Sequence, residues 1–564
     1  MNYLFKCAVI LIFSGISLTG GAQKLIKIPN PVDYGGREYG GCQGSYPIIY
    51  NGDLYMQYVK DDYNHNLFKY DGVSLTEITS PIGYSGFSSG YKGSPVIYKN
   101  NLYLSYMGDD GNQDLFKYDG VSLTEISSPL GYDTSGIGYL SRYIGNGSDP
   151  IIYNNNLYLI YNANDYNNDL MKYNGVTFTP IPSPSGFSAG SQYGGCSGGF
   201  IVYNGNLYMR YRNDNGSFEL FKYNGVTLTE INSPSGAYSG VGSGYAGSPV
   251  VYNNNLYTIY KSDAGNFDLY RNTGGTSLFK ITLPAGYNLL DPDRGTNMNV
   301  YNGNLYIGLK GSDGNTDLFK YNGTTFTQIP SPVGYAGNNT GYTGGAFNVL
   351  GKMYLLYFRD DGNAVLFSYD GSTLKEIPNN TSGYNVPNSG LVRGIIAFDG
   401  DVYLGYRHID GNDVLFKYDG SSLTEIPSPL GYLSPPTPPS YQPSGIWNLM
   451  IEYNNELYLS YMNDFKSFDL FKLDPNLPIG VEEITESSFR LYPNPTQNDF
   501  TIELDGNHSI TDISITSVQG QTVYAATNLK ANKLVVNTEQ WSNGVYVVSL
   551  RGDVIVKTMK LVKQ

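Results

Sequence analysis

The stretch NLYLSYMGDDGNQDLFKYDGVSLTEISSP (101–129) is the clearest copy of a segment of about 49 residues that recurs nine times between residues 36 and 473. Its anchor tyrosine falls at Tyr55, Tyr103, Tyr158, Tyr208, Tyr257, Tyr306, Tyr354, Tyr403 and Tyr458. Successive gaps are 48, 55, 50, 49, 49, 48, 49 and 55 residues. A fixed period of this size is the signature of a repeat architecture.

Each copy carries four short strand patterns. In the quoted repeat they are SPVIYKN (94–100), LYLSYM (102–107), DLFKY (114–118) and VSLTEI (121–126). Val, Ile, Tyr, Phe and Thr dominate, and the runs are too short for helices. Asn51-Gly52 or Asn302-Gly303 joins the first two strands, and Asp119-Gly120 or Asn322-Gly323 joins the last two. Such dipeptides tolerate positive φ and favour tight hairpins. The unit is therefore a four-stranded antiparallel meander. Leu102, Tyr103 and Leu104 are consecutive apolar residues, which calls for cover on both sheet faces. Radial stacking supplies that cover, so the expectation is a single β-propeller of about nine blades, with a period in the kelch range.

The segment KLIKIPNP (24–31) aligns with the fourth strand of the eighth repeat, SLTEIPSP (422–429), whereas the ninth repeat has no convincing copy of that strand. Residues 24–29 are thus expected to close the last blade. The rival is GVEEI (480–484). The repeat, N-x-L-Y, an acidic Gly-rich loop and then D-L-F-K-Y-D-G, also resembles the ELWxxDGT repeats of bacterial surface and secreted proteins, with Phe-Lys where that family has Trp. That resemblance implies a secreted propeller and no defined activity.

Residues 1–22 read as a secretory signal peptide: Lys6, then the apolar core CAVILIFSGISL (7–18), then GGA before Gln23. The propeller is expected over 23–474, an acidic linker over 475–488, and a small β-sandwich over 489–564. The last segment resembles the type IX secretion sorting domain of Bacteroidetes. The carrying residues are Tyr492, Pro493, Asn494 and Pro495, then Gly520, then Gly544 and Tyr546, then a basic end with Lys560. The resemblance implies partnership with the type IX machinery, transport across the outer membrane, removal of the domain, and release or attachment at the cell surface.

The formal charge of −14 disfavours nucleic-acid phosphates and anionic membranes as partners. No other segment is apolar and long enough to span a membrane. Cys42 and Cys196 sit at equivalent places three repeats apart, which argues against a disulfide between them. Beyond the leader with its Cys7, two cysteines and three histidines leave little for a structural zinc site.

In an antiparallel meander the second-to-third loops and the crossovers share one face. Here they are long and rich in Gly and Tyr, and variable loops on a rigid scaffold are where binding resides. The crossovers and neighbouring strands offer Tyr84, Tyr91, Tyr132, Tyr139, Tyr335, Tyr342 and Tyr432. These read either as platforms for sugar stacking or as packing that seats crossovers on blade ends. Acidic loops such as Asp109-Asp110-Gly111-Asn112 offer oxygens to calcium, but no EF-hand pattern is present, and Asp, Gly and Asn are also plain turn formers. No cofactor is otherwise implied. Arg142, Arg294, Arg407, His408 and Trp447 break the ninefold symmetry, through either ligand recognition or repeat drift.

No acid–base pair stands out from the repeated turn acids, and no serine elbow, metal spacing or P-loop appears. The leading expectation is a non-enzymatic surface or extracellular protein that binds a glycan or another surface macromolecule. A carbohydrate-active enzyme and a structural envelope component are the alternatives.

Overall fold

The computed structural model describes residues 24–474 and 489–564, apart from 45–46, 133–137, 140–148, 165–166, 188–193, 235, 291–297, 379–382, 385–391, 430, 433–443, 505–509, 518–520, 527–528, 530 and 553–555. Among these residues there are strands and no helix, and hence no helix long and apolar enough to cross a membrane. The chain divides after Ile479 into two compact units.

The first unit consists of nine four-stranded antiparallel blades. Blade 2 comprises Gly90–Tyr98, Asn101–Met107, Gln113–Tyr118 and Leu123–Ile126, each paired with the next. The tight turn after the first strand holds Lys99 and Asn100 at φ 48° and 59°, as the Asn-rich sequence predicts. Neighbouring first strands crowd together. A Cβ on Gly394 of blade 8 would lie 2.5 Å from Met450 Cε of blade 9, so the first strands form the narrow inner end of each wedge.

The core is divided into nine clusters, each shared by two consecutive blades. This explains the unbroken apolar runs: alternate residues of one strand serve opposite neighbours. Leu54, Met56 and Phe68 of blade 1 join Tyr458 and Leu470 of blade 9, so the ninth cluster completes the circle.

Lys24–Ile28 supplies the outer strand of blade 9, running from Lys24↔Asp474 to Ile28↔Leu470. The N-terminal segment therefore closes the ring, and GVEEI (480–484) lies outside the described residues. Tyrosine hydroxyls reinforce the stacking. Tyr50 donates to the Asn100 carbonyl at 2.9 Å, Tyr98 to Asn155 at 2.8 Å, and Tyr453 of blade 9 to Gly52 of blade 1 at 2.9 Å. At several places where a crossover enters the next blade a glycine is required. Gly41 has φ 93°, and a Cβ there would fall 1.9 Å from the Phe468 carbonyl oxygen.

The second unit is a small sandwich. Phe489–Tyr492, Asp499–Leu504 and Lys533–Asn537 form one sheet. Ile510–Ser517, Thr522–Ala526, Gly544–Gly552 and Val556–Lys563 form the other. Phe500, Ile502 and Val536 meet Ile515, Val548 and Leu561 between them.

Candidate functional site

The crossover tyrosines turn inward. Tyr84, Tyr91, Tyr335, Tyr342 and Tyr432 are buried and Tyr132 is half-buried, so they are not the open platforms that their number invited. Their hydroxyls have a repeated scaffold task. Tyr84 donates to Asp114 at 2.8 Å, Tyr132 to Asp169 at 2.6 Å, Tyr287 to Asp317 at 2.9 Å and Tyr432 to Asp469 at 2.6 Å. Each acid lies on the third strand of the following blade. A serine from the next crossover reaches the same carboxylate: Ser183 to Asp169 at 3.2 Å and Ser331 to Asp317 at 2.8 Å. Buried acids held this way fasten crossovers to blades. Blade 4 departs from the pattern. Phe187 replaces the tyrosine, and burial pushes the Glu219 carboxyl up to about 7.

The symmetry-breaking residues also have local partners where they are described. Arg407 forks onto Asp413 at 2.9 and 2.8 Å. His408 Nδ1 lies 2.8 Å from Asp410, and its ring meets Tyr384 edge-on at 4.8 Å. Trp447 is half-buried against Phe468 at 5.3 Å. Arg142 and Arg294 lie outside the described residues, as does the Tyr139 side chain. The loop acids form turns: Asp109 accepts the Gly86 amide at 2.7 Å, and Asp110 and Asp361 accept the amides two residues on. Among the described residues no group of three or more His, Cys, Asp or Glu is placed to hold a metal ion. Cys42 and Cys196 are buried and unpaired.

A different set of residues stands out on the long-loop face. Outside the first-to-second turns, six described non-glycine residues of the propeller have positive φ: Asp33, Tyr39, Tyr63, Ser88, Asn339 and Lys466. Five of them border the junctions of blade 1 with blades 9 and 2. Asp33, at φ 68°, occupies the place of Gly83, Gly131, Gly186, Gly286, Gly334, Gly383 and Gly431 in other crossovers. Tyr63 and Lys466, at φ 68° and 63°, replace the loop-tip glycines Gly111, Gly216, Gly265, Gly314, Gly362 and Gly411. A non-glycine residue in this region costs about 1–2 kcal/mol, least for Asp. Packing does not repay it at Asp33, which is exposed. A Cβ at Gly83, Gly131 or Gly334 would meet nothing within 4 Å, whereas one at Gly383 would collide with His408 at 1.9 Å.

Of these residues Asp33 lines a cleft of about 330 Å³ at the ring seam, whose lining also includes Lys27, Asn30, Asp61, Asn463 and Asp469. Lys27 is paired with Asp469 at 2.9 Å, and Asp61 accepts the Gly35 and Gly36 amides at 3.0 Å. Asn30 Nδ2 donates to Asp469 at 2.8 Å, while its buried Oδ1 has no hydrogen-bond partner among the described residues. Beside the cleft, Phe465 is 79% exposed. Across blade 1, Phe87 is 76% exposed and lies 5.3 Å from the Tyr63 ring. The loss of glycine from otherwise regular loops is the sequence signal that marks this corner.

In the second unit Asn494 clamps the last strand, donating to the Lys560 carbonyl at 2.7 Å and accepting the Val562 amide at 2.8 Å. Pro493 and Pro495 flank Asn494 in the same loop, and both X–Pro bonds are cis. Lys533 Nζ reaches the Tyr492 hydroxyl at 3.2 Å. Tyr546 donates to the Ser542 carbonyl at 2.7 Å, just ahead of the strand that Gly544 begins. Gly520 lies outside the described residues.

Residues 490–564 match the family described as the secretion system C-terminal sorting domain. No curated protein sequence matches the chain significantly. Among solved structures, the chain is similar to a puromycin-hydrolysing peptidase of Mycobacterium tuberculosis, with 13% identity, TM-score 0.36 and coverage of 68% of this chain and 61% of that one. The β-propeller domain of the Trilobed protease from Pyrococcus furiosus aligns with 12% identity, TM-score 0.30 and coverage of 68% and 97%. PorZ, a surface component of the type IX secretion system of Porphyromonas gingivalis, aligns with 10% identity, TM-score 0.18 and coverage of 94% and 100%. None of these likenesses assigns an activity.

Proposed function

We propose that this protein, carried across the outer membrane to the surface or extracellular space by its type IX sorting domain, is a non-enzymatic binding protein whose ligand is a glycan. The observation that carries this reading is Asp33, an exposed residue held at positive φ in the lining of the seam cleft, on the face of the long loops. Exposed aromatic rings beside amide and carboxylate groups suit a sugar, which offers an apolar ring face and hydroxyl edges. Backbone strain retained at one corner of a repetitive scaffold points to a task that the scaffold alone does not need.

The path of the chain agrees with this assignment. Lys24 pairs with Asp474 at the tight-turn end of blade 9, so the propeller's first strand begins, and its last strand ends, opposite the long loops.

A hydrolase or lyase needs two catalytic groups at one reacting centre. Third-strand acids such as Asp169 and Asp317 are instead fastened to crossovers, Asp413 is paired with Arg407, and His408 is engaged with Asp410. The test is a polysaccharide and glycan screen of the mature chain, with calcium and with chelator, scoring retention and product release. Retention without turnover is expected. Release of shortened product would overturn the reading in favour of a carbohydrate-active enzyme.

A further inference from the structure

We infer that the seam cleft is a specificity subsite for a neutral or amine-bearing sugar unit and that it excludes acidic sugars; this rests on the glycan-binding reading above. Charge decides the sign. One ammonium, Lys27, lines the cleft against three carboxylates, Asp33, Asp61 and Asp469. Lys27 is already neutralised by Asp469 at 2.9 Å, and the neighbouring Lys466 by Glu38 at 3.0 Å. A uronate or sulfate entering here would meet like charge with no unpaired ammonium in the lining, and like-charge contact rejects a ligand more effectively than a missing attraction does.

Hydrogen-bonding capacity points the same way. The Asp33 carboxylate is exposed, with no side-chain partner among the described contacts. It takes a hydrogen bond from a sugar hydroxyl or an ammonium group, whereas a ligand carboxylate donates none. Asp33 is also the residue for which the crossover gives up its glycine, so the acceptor is present at the expense of backbone comfort.

The test uses the full mature chain with chitosan, cellulose and galacturonate oligomers as probes, in the wild type and in Asp33→Gly. The substitution restores the residue used at this place in seven other crossovers, so the fold should be as stable as before or more so. Val333→Ser, on the same face three blades round, is the control. Chitosan or cellulose oligomers should be retained and galacturonate oligomers passed over. Asp33→Gly should weaken retention by about tenfold or more, the scale of one charge-assisted hydrogen bond, and Val333→Ser should not. Galacturonate as the preferred probe, or unchanged binding by Asp33→Gly, would overturn the subsite while leaving glycan binding intact. Retention of none of the three probes would count against the glycan reading itself.

Discussion

Lys27 Nζ lies 2.9 Å from Asp469 Oδ1, so a side chain from the propeller's first strand is locked to an acid in its last blade. Asp469 is almost fully buried and also takes hydrogen bonds from Tyr432 and Asn30. Asp469→Ala would leave two polar partners short at the closure. It should destabilise the propeller by about 2–3 kcal/mol, with Lys27→Ala milder because that ammonium is half-exposed. Denaturant unfolding of both variants checks the order, and equal effects would contradict the latch.

Glu219 gives the propeller a pH dependence of defined sign. Burial raises its carboxyl to about 7 in the folded chain, against an ordinary value near 4.5. The folded state therefore binds the proton more tightly. This group's contribution to stability is full below about pH 4.5, falls as pH rises, and is lost above about pH 7, a change of about 3 kcal/mol. Glu219→Gln should remove that slope. A stability profile across pH 4–8 that is unchanged in the variant would contradict the assignment.

Tyr84→Phe separates scaffold from site. It removes the hydroxyl that serves Asp114 and should cost about 1.5–2 kcal/mol of stability while leaving ligand retention unchanged. Loss of retention at full stability would return the crossover tyrosines to the binding surface.

Asn494→Ala should loosen the C-terminal strand, because one side chain holds both the Lys560 carbonyl and the Val562 amide. Faster hydrogen exchange at Val562 is expected, together with reduced export. Unaltered exchange would show that the clamp is dispensable to the sandwich.

The fold was legible because the period, the Asn-Gly and Asp-Gly turns and the stray strand at 24–29 all express local chemistry. The site was less so. Whether Tyr84 faces solvent depends on Asp114, 30 residues away in the next blade, and that pairing exists only once the ring forms. A signal was nevertheless present in the spacing: Tyr84–Asp114 and Tyr287–Asp317 are 30 residues apart, and Tyr132–Asp169 and Tyr432–Asp469, across the longer crossovers, are 37 apart. Asp33 and Tyr63 were visible as departures from P-x-G-Y and D-D-G-N, but only the structure shows that both stand at positive φ and that Asp33 lines a cleft.

The most direct test of the account is hydrogen–deuterium exchange of the mature protein with and without a retained oligosaccharide. Protection is predicted in residues 31–40, 60–66, 85–90 and 463–468, with the tight-turn face unchanged. Protection confined to the tight turns, or to the blades farthest from the seam, would contradict it.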